Sequence, residues 1–147
     1  EHGRVYFTEW TPSESVLRRI NLLVLSELDV PEPLDLAESW AEHIGIVVVT
    51  HAERGATVFQ AGERRHYPTR PARQVDPTGA GDTYAGALIG YLAQAGKVTE
   101  RVMREALLHA SVMASFCVEG FSVERLETLS RREYEGRVRE LVRMMRV

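Results

Sequence analysis

The spacing of apolar residues changes along the chain. Short, nearly continuous apolar runs fill much of the first half, and a three-to-four-residue period takes over in the second. The segment "RVYFTE" (4–9) predicts a short strand, and "TPSESVLRRI" predicts a helix with Thr11 or Ser13 available as its cap. "LLVLS" (22–26) has the length of a buried strand. After the Pro-marked turn "VPEP", "LDLAESWAEHIG" predicts a helix closed by Gly45. "IVVVT" (46–50) is apolar on both faces, as a central parallel strand requires. Strand, helix, strand, helix, strand in that order predicts an α/β sheet with parallel crossovers.

The stretch "ERGATVFQAGERRHYP" predicts two short antiparallel strands around an Ala61-Gly62 turn. A loop containing Pro68, Pro71 and Pro77 then leads to "VDPTGAGDTYAGAL" (75–88), and everything after it is helical in pattern. The helix that follows the glycines should end near Gly96. Its small residues Ala85, Gly86, Ile89, Gly90 and Ala93 fall on one face, which predicts a close approach to the sheet. Met103, Ala106, Leu107, Ala110, Ala114 and Cys117 form one further apolar stripe. Tyr134, Val138, Leu141, Val142 and Met145 form another. No repeat, low-complexity segment or linker interrupts the 147 residues, so one domain over 1–147 is expected.

Composition narrows the class. Hydrophobic residues at 44% and charged residues at 27% suit a globular chain with its own core. A net charge of −3 argues against nucleic acid as the main partner. The single cysteine, Cys117, rules out an intramolecular disulfide and fits a reducing compartment. No apolar run spans a bilayer and the start lacks a signal-like pattern, so no membrane association and a cytoplasmic location are expected. The chain begins at Glu1 without Met, which points to a trimmed chain or a fragment.

The glycines at 79 and 81 invite a phosphate-loop reading. A Walker loop needs Lys followed by Ser or Thr, but the only lysine is Lys97. A dinucleotide fingerprint needs a small residue where Tyr84 stands, and no strong strand precedes the loop. What remains is a Pro-stiffened approach, two glycines that let backbone N–H groups turn inward, and a helix start whose first N–H groups lack intrahelical partners. Together these make an anion hole. Asp82 sits beside it. The helix terminus favours its ionised form. A loose phosphoryl-transfer transition state needs only a carboxylate that receives the acceptor proton late. The competing reading is that Asp82 caps the helix while Asp76 shapes the turn.

Asp76-Pro-Thr-Gly-Ala-Gly-Asp82, followed by Gly86-Ala-Leu-Ile89, closely resembles the C-terminal signature of the ribokinase-like (PfkB) carbohydrate kinases. The resemblance implies a ribokinase-like three-layer α/β sandwich, in its C-terminal part, with a mostly parallel sheet and flanking helices. It implies Asp82 as catalytic base and Gly79, Ala80 and Gly81 as the anion hole for the γ-phosphate. "VVVTHAERGATVF" is similar to the family segment beside the nucleotide and implies Thr50 to Gly55 near ATP. Ala52 departs from the glycine usual there, and a plain turn with Gly55 at positive φ fits the same residues. "LHASVMASFCVEGF" resembles the family helix and loop that cover the adenine, implying His109 and Gly120 as contacts, against a purely structural histidine.

"SELD" occupies the place of the family's Asn-x-x-Glu motif, which organises Mg²⁺ through water. Asp29, ahead of Glu27, is the implied carboxylate; strand-end acids are the competing explanation. Asp76, Thr78 and Ser115 match the neighbourhood of a monovalent cation in many members. His43, His51 and His66 show no metal-ligand spacing. The arginines of "RREYEGRVRELVRMMR" read as a solvated face interleaved with Glu, and Trp10 and Trp40 as packing residues.

The implied function is ATP-dependent phosphoryl transfer to a hydroxyl of a sugar or nucleoside. The chain carries the ATP site and base, but the family's glycine-rich acceptor segment and β lid are not visible in it. The implied partners are ATP, a small hydroxyl-bearing substrate, and a second copy or a complementary N-terminal half. The alternative is a non-catalytic nucleotide-binding module or an inactive fragment of such a kinase.

Overall fold

The computed structural model describes residues 10–145; the strand expected at 4–9 lies outside them. Strand β1 (Leu22–Ser26) runs parallel to β2 (Ile46–Thr50), with helix α2 (Pro33–Ala41) as the crossover. β2 then pairs antiparallel with β3 (Ala56–Gln60), and β3 pairs antiparallel with β4 (Glu63–Tyr67), giving the order β1-β2-β3-β4. The α/β expectation holds. Among the described residues the pairing is mixed, because the hairpin turn at Ala61-Gly62 forces its two strands to run in opposite directions.

β2 explains the layering. Val47, Val48 and Val49 are all completely buried. Side chains alternate along a strand, so both sheet faces must be covered. Val47 and Val49 pack with Leu25, Phe59, Ala37 and Trp40 of α2, and Leu17 of the single-turn helix α1 (Glu14–Leu17). Ile46 and Val48 pack on the other side with Tyr84 and Leu88 of α3 (Ala80–Ala95) and Met103, Ala106 and Leu107 of α4 (Glu100–Cys117). Helices thus cover both faces, a three-layer sandwich. Burying each valine contributes about 1.5–3 kcal/mol, which makes β2 the centre of the structure.

A third cluster lies beyond the sheet. Leu108, Val112 and Phe116 on the outer side of α4 meet Leu141 of α6 (Arg131–Met144), with Tyr134, Val138, Val142 and Met145 around them. Thr99 caps α4 by accepting the Val102 amide, and Ser130 and Glu133 close a capping box at the start of α6. A short helix, α5 (Glu124–Glu127), connects the two.

Three expectations are corrected. The first helix is one turn only, and Ser13 at its start bonds Ser15 rather than capping a backbone amide. α2 stops at Ala41 instead of running to Gly45. A turn after it drives Ile44, only 1% exposed, into the core, and Gly45 leads into β2 without a positive φ. The small face of α3 points away from the sheet. Tyr84 and Leu88 face inward, while Gly86, Ile89, Gly90 and Ala93 are exposed, and a Cβ built at Gly86 or Gly90 would meet nothing within 4 Å. The larger side chains win the buried side because burial scales with apolar area.

A Cβ at Gly55 (φ 97°) would lie 2.1 Å from the Tyr67 carbonyl oxygen, so Gly55→Ala should destabilise the chain by about 3 kcal/mol, measured by denaturant unfolding. Bonds from the Ser130 hydroxyl and amide, then from Arg125, hold the Glu133 carboxyl down at about 2. Its folded value lies below the unfolded one, so this stabilisation is full above about pH 4.5 and lost as pH falls towards 2. Ser130→Ala should therefore weaken the chain most at neutral pH, with a deficit that shrinks on acidification.

Candidate active site

The glycine loop is held from beneath by the end of α4. The Val118 carbonyl accepts from both the Val75 and Asp76 amides, at 2.7 and 3.2 Å. The Cys117 Sγ faces the Thr78 carbonyl at 3.8 Å. Asp76 turns its carboxylate back to accept the Thr78 amide at 2.9 Å. That bond, reinforced by the Thr78 hydroxyl and the Ser122 amide, holds the Asp76 carboxyl below its ordinary value. The turn-shaping reading of Asp76 therefore matches the geometry. Gly79 then adopts φ 79°, a left-handed conformation that favours glycine, and α3 starts at the next residue.

The start of α3 supplies free donors. The Thr83 amide reaches the Gly79 carbonyl at 2.8 Å, and the Ala80 amide bonds the Pro77 carbonyl at 3.2 Å. Among the described residues no backbone carbonyl accepts from the amides of Gly79, Gly81 or Asp82. The expected trio Gly79, Ala80 and Gly81 thus becomes Gly79, Gly81 and Asp82 in terms of available N–H groups, because the turn engages Ala80. Asp82 is exposed, and its carboxylate has no hydrogen-bond partner among the described residues; no side chain caps α3. Asp82 is not spent on a helix cap. An anion at this helix terminus would meet unpaired N–H groups and the positive end of the helix dipole.

A second group of polar residues follows the C-terminal ends of the parallel strands β1 and β2, where α/β sheets commonly place ligands. The Glu27 amide donates to the Thr50 carbonyl at 3.0 Å, and the Thr50 hydroxyl donates to the Leu25 carbonyl at 3.3 Å. Glu27 Oε2 meets Arg54 and, at 2.9 Å, Nδ1 of buried His51, and these bonds, Arg54 first, hold its carboxyl below the usual range. His51 Nε2 lies 2.9 Å from the Thr57 hydroxyl. A neutral ring with its hydrogen on Nδ1 donates to Glu27 and accepts from Thr57. Asp29 Oδ2 accepts the Ser26 amide at 2.7 Å. Each carboxylate keeps one oxygen outside these bonds.

Ala52 opens a 3-10 turn at 52–54 with φ 49°. This is the backbone state for which glycine is the easier residue, so the departure at this position is borne as local strain of about 1–2 kcal/mol. Gly55 has the positive φ expected of it.

His109 lies elsewhere on α4. Its half-buried ring stacks at 4.8 Å on Tyr91 and at 5.7 Å on Tyr134, whose hydroxyl bonds Nδ1; burial lowers its pKa. Gly120 follows α4, and a Cβ there would come 2.9 Å from Arg125 Cβ. Ser115 is buried, donates to the Val112 carbonyl at 2.7 Å and accepts from Arg137 at 3.1 Å. Its hydroxyl is engaged and a cationic guanidinium stands beside it, so Ser115 is not free for the monovalent cation expected beside Asp76 and Thr78. Among the described residues no group of three or more His, Cys, Asp or Glu could hold a metal, and no helix is long and apolar enough to cross a membrane.

Arg137 is a residue that sequence pattern does not single out. Its alternation with Glu reads as a solvated face, yet its side chain is only 12% exposed. It bonds both oxygens of Glu119 at 2.9 and 3.0 Å and lies 3.6 Å over the Phe116 ring. The one available signal is its spacing with Tyr134, Val138 and Leu141, which puts it next to the inward face of α6.

The pfkB family carbohydrate kinase profile matches residues 22–128. An inositol 3-kinase from Arabidopsis thaliana is 34% identical over 104 residues, covering 71% of this chain and 27% of that protein. The chain thus spans well under half the length of its curated relatives. A Thermotoga maritima ribokinase aligns with a TM-score of 0.71 and 24% identity, over 86% of this chain and 45% of that one. The Salmonella enterica aminoimidazole riboside kinase, solved with aminoimidazole riboside and an ATP analog, aligns with a TM-score of 0.72 and 18% identity, over 85% and 46%. At these identities the two structures speak for the fold, a ribokinase-type α/β sandwich of which this chain forms part. The matched segment carries the four strands described, the glycine loop and Asp82, and the chain belongs to the pfkB family of carbohydrate kinases.

Proposed function

We propose that this chain carries the nucleotide side and the general base of an ATP-dependent kinase acting on a hydroxyl of a sugar or nucleoside. The observation that carries the reading is the pairing at the start of α3: an uncommitted Asp82 carboxylate beside the unpaired amides of Gly79, Gly81 and Asp82 itself. In the reaction the acceptor oxygen forms a bond to the γ-phosphorus as the bond from that phosphorus to the β,γ-bridging oxygen breaks. The hydroxyl proton passes to Asp82, and ADP leaves with the bridging electron pair. The amides receive charge spread over the moving phosphoryl oxygens, without reorganisation, because the Val118 and Asp76 bonds already fix the loop.

Asp29 and Glu27 fit a hydrated Mg²⁺, which needs few direct protein ligands, through the oxygen each leaves free. Bound there, Mg²⁺ would neutralise phosphate charge. Asp76 and Thr78 remain the residues for a monovalent cation. Thr50, Gly55, His109 and Gly120 stay the proposed nucleotide contacts, with the Tyr91 and Tyr134 stack fixing the His109 ring.

The acceptor hydroxyl must be held in line, and such positioning is worth about 7–11 kcal/mol of barrier. Residues 1–147 by themselves should therefore bind Mg-ATP in calorimetry yet turn over sugars and nucleosides very slowly. Absence of any Mg-ATP binding would refute the nucleotide site. Joined to a complementary acceptor-binding half, the chain should phosphorylate its acceptor. There Asp82→Asn should lower kcat by about a hundred- to ten-thousand-fold while Mg-ATP affinity stays within a few-fold. Near-normal turnover in that variant would remove Asp82 from its role. Binding without turnover in the joined protein would favour the non-catalytic nucleotide module.

A further inference from the structure

Helix α6 lies beyond the family-matched residues 22–128, yet it is tied to the glycine loop from two sides. On one side Arg137 grips the end of α4: it bonds Glu119 with both carboxylate oxygens, donates to Ser115, and covers the Phe116 ring. On the other side Glu140 forms an ion pair with Arg70, Nε to Oε2 at 2.7 Å, without hydrogen-bond alignment, and Arg70 belongs to the segment between β4 and the glycine loop. Residues 137 and 140 stand three apart, so they share a face of α6. The end of α4 then passes the constraint on, because Val118 receives the Val75 and Asp76 amides and Cys117 underlies Thr78.

We propose that α6 sets the position of the anion-hole amides, with Arg137 as a positioning residue and the Arg70–Glu140 pair as a second tie. Arg137 suits that task better than an apolar residue would. A guanidinium that holds a carboxylate with Nη2 and a hydroxyl with Nη1 while stacking on a ring fixes direction as well as distance. Glu119 is only 18% exposed at its side chain, so losing Arg137 would leave a largely buried carboxylate with only the longer 3.8 Å contact to Arg125 Nε and let the end of α4 shift. The mechanical link stands on the contacts alone; its value for phosphate binding rests on the function proposed above.

Hydrogen exchange on this chain tests the link without any nucleotide. In Arg137→Met the stem can stay on Phe116 while the charge and the fork are gone. The amides of Val75, Asp76 and Thr83 should then exchange at least tenfold faster relative to those of β2 and β3. Arg137→Lys, which keeps charge without the fork, should recover only part of the protection. Loop and sheet amides that speed up in equal proportion would overturn the proposal, because they would report general destabilisation. If Arg137→Met does not fold, Glu140→Gln is read by the same ratio. Calorimetry then separates the two ideas. Arg137→Met should lose at least fivefold more affinity for Mg-ATP than for adenosine, and equal losses would count against positioning. If the unmodified chain binds no Mg-ATP, the functional reading fails and the exchange ratio still decides the link.

Discussion

One carbonyl oxygen joins the core to the glycine loop. Val118 caps the C-terminal end of α4 and receives the amides of Val75 and Asp76, so a helix packed against the sheet dictates where the glycine loop begins. Everything upstream serves to fix that oxygen. β2 is buried on both faces, α4 packs on one of them, and α6 presses on the opposite side of α4. Everything downstream inherits its position, from the Asp76 turn through Gly79 to the open amides at the head of α3. A loop of glycines has little shape of its own, so its order must come from a neighbour.

The opposite end of the site follows another logic. Around Glu27, charge is neutralised locally by Arg54, while His51 donates a hydrogen bond to the same carboxylate and Thr57 completes the histidine. These bonds draw β1, β2 and the turn at 52–54 into one rigid corner. The left-handed Ala52 sits in that corner, where bonding on either side holds it in a backbone state it would otherwise avoid.

Much of this was legible in the sequence because it depends on local pattern. The two-faced run at 46–50 can only be a covered strand, and Ala61-Gly62 between alternating residues marks a hairpin. The Gly-Ala-Gly-Asp order at a helix start carries the resemblance to the carbohydrate kinases, and the family match includes it. The unreadable parts depend on competition between distant groups. Which face of α3 turns inward is decided by Tyr84 and Leu88 against partners on α4 and the sheet, not by the smallness of Gly86 and Gly90. Arg137 looks solvated until α4 supplies Phe116 and the turn after it supplies Glu119. Ala80 belongs to the glycine motif, but the tightness of the Pro77 turn, invisible in composition, takes its amide away.

The outward glycines of α3 carry a consequence for how this segment moves. Each glycine in a helix interior weakens it by about 0.5–1 kcal/mol relative to alanine, and Gly81, Gly86 and Gly90 all stand in α3 without a neighbour that their smallness would serve. The segment therefore stays helical mainly through the grip on Tyr84 and Leu88, so it should melt from its first turn whenever that grip slackens. The turn that frays first also presents its dipole to an anion. A bound phosphate would thus tighten the very coil that holds it, linking occupancy to order.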